Sequence, residues 1–337
     1  MSLAIETHGL AKSYKATKAL DGIDLQIRRG SVYGLLGPNG AGKTTTIRIL
    51  ATLITPSAGS ATVLGHDVVR EAKTVRQKVA LTGQYASVDE ELTGHENLVL
   101  VGRLLGMPWR DAKERATELL GAFALDDAAK RLVRTYSGGM RRRIDIAASL
   151  VATPDVLFLD EPTTGLDPRS RNQVWDIVRR IAAQGTTVLL TTQHLEEADR
   201  LAERLAVIDH GKVIAEGTSR ELKTSVGGNA LHVRLGVLSD QARTRALLTQ
   251  VLGPTLLPAS EAGLVSARIK RTEDASAALA VLTRAGVIVA EYNVGSPSLD
   301  DVFFALTGRP AEEKKDEEAL AATPKSKSKK VAKGGAA

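Results

Sequence analysis

The chain contains no cysteine among its 337 residues. Disulfides and thiolate metal sites are therefore excluded, and the composition fits a reducing compartment. Aromatics are scarce at 3%, so the core must be built mainly from Ala, Val, Leu and Ile. The six histidines are scattered, with none paired at metal-ligand spacing. No apolar run approaches the roughly 18–20 residues that cross a bilayer. The first eight residues, Met1 to His8, carry neither a basic stretch nor an apolar segment of the secretory kind. These absences predict a cytosolic chain that meets a membrane only as a peripheral subunit.

Charge is also nearly absent as a signal. The net charge is +6, and residues 309–337, with eight Lys/Arg against five Asp/Glu, hold +3 of it. The remaining body is only mildly basic, a poor electrostatic footprint for nucleic acid, so no nucleic-acid partner is expected.

What is present is a globular composition, 43% hydrophobic and 25% charged, in a chain long enough for two domains. Residues 1–30 read as an antiparallel hairpin region. Ser31 to Leu36 is a short apolar run of buried-strand length, followed by a glycine-rich loop and by helical spacing from Lys43 to Leu53 (Ile47, Leu50, Ile54). Residues 92–150 look mostly helical, with Leu98, Val101, Leu104 and Leu105 on one face and Leu119, Leu120 and Phe123 on another. Asp155–Asp160 and Thr186–Thr191 read as central strands joined by a helix at about 169–184. Leu205–Ala215 reads as a hairpin turning at Asp209–Lys212. The cluster Lys223 to Gly228 reads as a linker. Beyond it, strands (Leu231–Leu235, Leu264–Ile269, Val287–Tyr292) alternate with helices (about 239–252 and 273–285), a small α+β unit. From Arg309 the chain lacks apolar period and is expected to be disordered. The predicted domains are thus an α/β body at 1–224, with a helical subdomain at about 86–150, an accessory unit at 229–308 and a tail at 309–337.

Three motifs carry the chemistry. Gly37-Pro38-Asn39-Gly40-Ala41-Gly42-Lys43-Thr44-Thr45 matches the P-loop pattern between a strand and a helix. Its glycines let successive backbone N–H groups curl around phosphate, and the helix start adds positive potential. Lys43 is expected to neutralise β/γ-phosphate charge, and the Thr44 hydroxyl to ligate Mg²⁺. Leu157-Phe158-Leu159-Asp160-Glu161 places two adjacent carboxylates at a strand end. Asp160 suits Mg²⁺ held with ATP, and Glu161 suits polarising the attacking water. Ser137-Gly138-Gly139 opens an apolar-periodic helix (Ile144, Ala147, Ala148, Val151) 23 residues before Asp160. Its free N–H groups make a second anion site. One nucleotide does not need two, so this one is expected to serve a nucleotide held by another subunit.

With these motifs in this order, the chain resembles the nucleotide-binding subunit of an ABC transporter, over residues 1 to about 224. The resemblance implies a P-loop ABC-type α/β ATPase fold. It implies roles for Gln84 as the Q-loop glutamine near metal and water, and for Asp167 in the D-loop segment Gly165-Leu166-Asp167, contributed in trans with Ser137, Gly138 and Gly139. It further implies His194 as the switch histidine on the γ-phosphate and Tyr14 as the aromatic stacked on adenine. Gly83–Asp89, Thr135–Arg143, Asp160–Trp175 and Leu299-Asp300-Asp301-Val302-Phe303 are similar to the daunorubicin/doxorubicin-resistance ATP-binding family of drug exporters. Tyr136 and Met140 depart from the wider pattern, where Leu and Gln are commoner, and match this subfamily.

The implied function is ATP hydrolysis energising export of a hydrophobic drug or natural product. The implied partners are a second copy bound through ATP and a separate membrane permease, at the cytoplasmic membrane face. A soluble ABC protein of translation or repair is the alternative. The single cassette, with only 117 residues from Lys43 to Asp160, disfavours it. A nucleotide-regulated binding protein without turnover is disfavoured by Glu161 and His194. Leu299–Phe303 reads either as a docking element or as a helix start burying Val302 and Phe303. Lys325–Lys330 reads either as solvated tail or as a contact with anionic membrane.

Overall fold

The computed structural model describes residues 2–15, 17–83, 88–225, 229–254, 256–257, 262–269, 271–295 and 298–308. Gln84, the residues 226–228 at the expected linker and the tail 309–337 lie outside the described residues.

The chain opens with strands β1 (Leu3–Tyr14) and β2 (Thr17–Arg28), paired antiparallel, then enters β3 (Val32–Leu36). All five β3 residues are buried, the pattern of a parallel strand covered on both faces. The glycine-rich loop leads into α1 (Lys43–Leu50), which ends three residues before the expected Leu53. Next come β4 (Ala58–Val63), β5 (His66–Asp67), α2 (Ala72–Lys78) and β6 (Val79–Thr82).

The helical part consists of α3 (Gly94–Leu104), α4 (Trp109–Ala122) and α5 (Gly138–Ser149). Thr93 and Glu96 close a capping box at the start of α3, satisfying two N-terminal N–H groups. Leu98, Leu119, Leu120 and Phe123 are buried as the periodicity predicts, whereas Leu104 (78% exposed) and Leu105 (54%) face outward. Leu104, six residues after Leu98, lies about 120° around the helix from it, and Leu105 follows the last helical residue.

The chain then returns to the sheet through β7 (Val156–Asp160), α6 (Pro168–Ala183), β8 (Thr187–Thr192), α7 (Leu195–Leu201), β9 (Arg204–Asp209) and β10 (Lys212–Gly217). Helix α8 (Ser219–Ser225) follows, so Lys223, Thr224 and Ser225, expected in a linker, are helical instead. The last stretch holds β11 (Ala230–Leu235), α9 (Gln241–Leu252), β12 (Leu264–Arg268), α10 (Thr272–Arg284), β13 (Val289–Gly295) and α11 (Leu299–Thr307).

The strands form three sheets. An antiparallel sheet runs β2-β1-β4-β5, a larger one runs β10-β9-β3-β8-β7-β6, and a third runs β12-β11-β13. In the large sheet β6, β7, β8, β3 and β9 are parallel, and only β10 is antiparallel. Their carboxyl ends therefore share one edge, where ligands bind in open α/β sheets. One core packs the antiparallel sheet and α1 against one face of the large sheet, and a second packs α3 to α6 against the other. The third small sheet has its own core with α9 and α10, including Leu231, Val265, Ala278 and Leu282.

Helix α11 does not join that last core. Leu299, Val302 and Phe303 are buried with Leu36, Leu195, Ala198, Leu205, Val207 and Leu222, all from the ATPase body. Ser298 and Asp301 cap its start reciprocally. The acidic pair at 300–301 thus opens a helix that begins four positions after β13 ends at Gly295 and docks back onto α7 and α8.

Candidate functional site

The loop between β3 and α1 is built around glycines that no other residue replaces. A Cβ on Gly37 would lie 2.2 Å from the Ile208 carbonyl oxygen. One on Gly42, whose φ is +112°, would lie 2.7 Å from the Ala19 oxygen. The loop lies over a cavity of about 320 Å³ that runs from Tyr14 and Ala19, past Pro38, Asn39, Gly40, Gly42, Lys43, Thr44 and Thr45, to Glu161. Gly37 and Ala41 hold the loop from behind. The Gly37 N–H donates to the Thr192 carbonyl at 3.3 Å, and Ala41 is buried. Tyr14, 45% exposed, stands at the cavity mouth with the Lys12 ammonium 5.3 Å from its ring centre.

The charged groups converge at the far end. Lys43 is buried, and its Nζ donates to the carbonyls of Gly37 (2.7 Å) and Pro38 (3.1 Å) and lies 3.6 Å from Glu161 Oε1. Burial pulls the Lys43 pKa down, opposed by the charges of Glu161 and Asp160. Asp160 Oδ1 accepts from Thr44 Oγ1 at 3.0 Å and from Thr191 Oγ1 at 2.5 Å. Glu161 sits at φ +49°, an unusual backbone conformation for a non-glycine residue. Its N–H donates to the Thr191 carbonyl and hydroxyl, both at 3.1 Å, and its Oε2 accepts from Thr164 at 3.3 Å. This backbone turn aims the carboxylate into the cavity rather than along the strand.

The donor set fits the expected ligands. Clustered N–H groups, a lysine and an adjoining hydroxyl suit a triphosphate. The Thr44 hydroxyl beside the Asp160 carboxylate supplies the oxygen ligands that Mg²⁺ takes, usually one or two carboxylates with phosphate and water completing the shell. Among the described residues no cluster of three or more acidic or histidine side chains forms an all-protein metal cage.

The second anion motif lies outside this cavity. Ser137 caps α5, its Oγ accepting from Met140 N at 3.3 Å, and Ser137 and Gly138 are exposed. Asp167 caps α6, accepting from the Ser170 N–H (3.0 Å) and hydroxyl (2.6 Å), which hold its carboxyl below the usual range. The two helix starts are in contact. A Cβ on Gly139 would lie 2.3 Å from Ser170 Oγ, and one on Gly138 would lie 3.8 Å from Leu166. Ser137, Gly138 and Asp167 are exposed, and Gly139 is buried where the two helix starts meet. The departures at Tyr136 and Met140 are structural. Tyr136 is buried, its hydroxyl donates to Ala128 O at 2.7 Å, and Met140 packs on the helical core.

His194 lies just past the carboxyl end of β8. It is the N-cap residue of α7, and its N–H donates to Thr192 Oγ1 at 2.9 Å. It does not line the cavity. Gln193 directly follows Thr192, the residue paired with Leu36 and bonded to Gly37. The sequence reading also missed Thr191, Glu197 and Arg142. Glu197 accepts from Thr163 Oγ1 (2.8 Å) and Trp175 Nε1 (3.1 Å), and burial pushes its pKa up. Arg142 is bonded to the strand ends that carry the site. Its one sequence signal was Asp145, an acid set among Ile144, Ile146 and Ala147.

Comparison with known proteins agrees with this geometry. A family profile described as ABC transporter matches residues 20–164. The daunorubicin/doxorubicin resistance ATP-binding protein DrrA of Streptomyces peucetius is 60% identical over 94% of this chain and 96% of that protein. The Nod factor export ATP-binding protein I of Ralstonia nicotianae is 39% identical over 90% of this chain and 94% of that protein. An ATP-binding cassette solved as a dimer in a post-hydrolysis state with ADP and Pi is 25% identical, with a TM-score of 0.58 over 64% of this chain and 98% of that one. Among the described residues no helix is long and apolar enough to cross a membrane. The chain belongs to the ABC transporter family as an ATP-binding subunit of the drug-resistance exporter type, an ATPase whose hydrolysis is coupled to transport.

Proposed function

We propose that two copies of this chain close around two ATP molecules and drive a separate membrane permease that exports a hydrophobic, anthracycline-like compound. The observation that carries the composite site is the division of the motifs. The cavity contains Lys43, Thr44 and Glu161, while Ser137, Gly138 and Asp167 are exposed at two helix starts outside it. The solved relative that is a dimer supports the same reading.

In this reading Tyr14 stacks on adenine, and the loop from Gly37 to Thr45 holds the phosphates. Lys43 turns from its loop carbonyls toward the β- and γ-phosphates. Thr44, Asp160 and Gln84 would hold Mg²⁺, which when bound would supply charge neutralisation at the phosphates. The Glu161 carboxylate takes a proton from water as its oxygen bonds to the γ-phosphorus. The bond to the bridging oxygen breaks and ADP leaves. The γ-phosphate contact expected of His194 falls to Gln193, which leaves β8 beside Gly37, with His194 ordering the turn behind it.

The accessory unit is proposed to end near Gly295, with α11 belonging to the ATPase body. The export substrate is set by the permease. The relatives support this, since one is named for daunorubicin and doxorubicin and another for Nod factor. The location follows: the cytoplasmic face, held there by the permease. The test is co-expression with a candidate six-span permease. Wild-type chain should co-purify with it and lower cellular anthracycline, and Lys43→Ala should co-purify without lowering it. A chain recovered without the permease, and export unaffected by Lys43→Ala, would contradict the reading.

A further inference from the structure

Arg142 lies on α5, five residues after Ser137, and is 11% exposed. Its guanidinium makes four bonds. Nε donates to Pro162 O at 2.8 Å, Nη2 to Asp160 O at 3.2 Å, and Nη1 to Gly83 O at 2.7 Å and to Asp145 Oδ2 at 3.3 Å. Asp145, fully buried one turn along the same helix, is its counter-ion. The first two acceptors are the carbonyls on either side of Glu161. The third belongs to the residue that precedes Gln84 in the chain. Burial pulls the Arg142 pKa down and Asp145 opposes this most strongly.

The arrangement joins two surfaces with different duties. The start of α5 carries the exposed Ser137 and Gly138. The middle of the same helix grips the chain segment that aims Glu161 into this subunit's own cavity. A rigid helix of twelve residues carries both. We propose that Arg142 is a positioning residue that transmits the seating of Ser137–Gly139 on the partner's nucleotide to Glu161 and the Gly83 strand end of its own subunit, so that each site fires only when the opposite one is engaged. The proposal rests on the composite-site reading above.

Only Arg can do this. Its planar fork presents five N–H donors in fixed directions, and four here find acceptors. Lysine keeps the charge but offers a single nitrogen, which cannot span carbonyls contributed by two strand ends. Removing the cation alone would leave Asp145 buried and unpaired, so a double variant with both replaced by apolar residues separates coupling from mere stability.

The full-length chain is purified as Arg142→Lys, Arg142→Met and Arg142→Met/Asp145→Leu, and each is checked for folding by circular dichroism. ATP affinity is read with a fluorescent ATP analogue, hydrolysis rate against ATP concentration gives kcat, KM and the Hill coefficient, and sedimentation of the double with Glu161→Gln reads the ATP dimer. The expected result is unchanged nucleotide affinity, kcat lowered at least tenfold, a Hill coefficient falling toward one, and a dimer that still forms with ATP. Arg142→Lys should not rescue. Wild-type kcat and cooperativity in any folded variant would overturn the proposal. So would loss of the ATP dimer when Arg142→Met is added to Glu161→Gln, because Arg142 would then only shape the Ser137 surface. If no variant folds, including the apolar double, the residue is structural and the proposal is overturned. If Glu161→Gln alone remains monomeric with ATP, the composite-site reading itself fails, a distinct outcome.

Discussion

Replacing Phe303 with alanine should destabilise the ATPase body, although residue 303 follows the accessory unit in the chain. Phe303 is fully buried, and its neighbours are Leu36 at the end of β3, Leu195 and Ala198 of α7, Leu205 and Val207 of β9 and Leu222 of α8. Phe→Ala in a core costs about 3–5 kcal/mol. Leu299, Val302 and Phe303 together, at roughly 1.5–3 kcal/mol each, contribute about 5–9 kcal/mol as an upper estimate. That is comparable with the ~5–15 kcal/mol that holds a whole domain folded. For a body of this size each kcal/mol moves Tm by about 2–4 °C, so Phe303→Ala should lower it by about 6–20 °C. Tryptophan fluorescence is the assay, because the chain's two tryptophans, Trp109 and Trp175, both lie in the ATPase body. Trp175 also bonds Glu197 of α7, the helix that α11 packs against. A fragment ending at 224 should likewise be unstable, and appending residues 298–308 through a flexible linker should restore it. If Phe303→Ala leaves the tryptophan transition in place and shifts only a separate circular-dichroism transition, α11 is not part of the ATPase core.

Other outcomes follow from the site. Lys43→Ala should weaken ATP binding and abolish hydrolysis, read by a fluorescent ATP analogue and by phosphate release, since no other buried cation among the described cavity residues replaces it. Gln193→Ala should slow hydrolysis at least tenfold and His194→Ala by less, and the reverse order in steady-state kinetics would return the γ-phosphate contact to His194. Glu197 gives a pH dependence. Burial raises its folded pKa above the ordinary 4.5, so between 4.5 and that raised value the native state holds more protons than the unfolded one. Its contribution to stability therefore falls as pH rises through this window. Glu197→Gln removes that loss, so its urea midpoint should gain on wild type between pH 5 and pH 8. A constant difference would show that Glu197 is not perturbed.

The cavity was legible in the sequence because phosphate chemistry demands fixed residue types at short spacing. Gly37, Lys43 and Thr44 lie within one turn-and-helix unit, and Asp160-Glu161 ends an apolar run whose burial is itself a sequence signal. Three of the parallel strands, β3, β7 and β8, were legible for the same reason, each a run of five or six buried residues. What escaped notice depends on partners far along the chain. Arg142 meets Gly83, 59 residues away, and Phe303 meets Leu36 from the opposite end of the chain. No local pattern encodes either contact. The linker at Lys223 was mistaken because Lys, Thr and Ser there continue an exposed helix face, with Leu222 as its buried anchor. The register of β8 against β3 pairs Thr192 with Leu36, which makes Gln193 the first residue past the sheet, a relation that residue type alone does not carry.

The central claim is that two copies share ATP, each lending its Ser137–Gly139 surface to the other's cavity. Sedimentation of full-length Glu161→Gln with and without saturating MgATP tests it most directly. The variant keeps the side chain's shape and a hydrogen-bonding oxygen, so ATP should bind and persist. The account predicts a monomer without nucleotide and a dimer with it, and a monomer under both conditions when Ser137→Arg is added, with ATP binding retained. Glu161→Gln that stays monomeric at saturating ATP in the presence of the permease, or a dimer indifferent to Ser137→Arg, would contradict it.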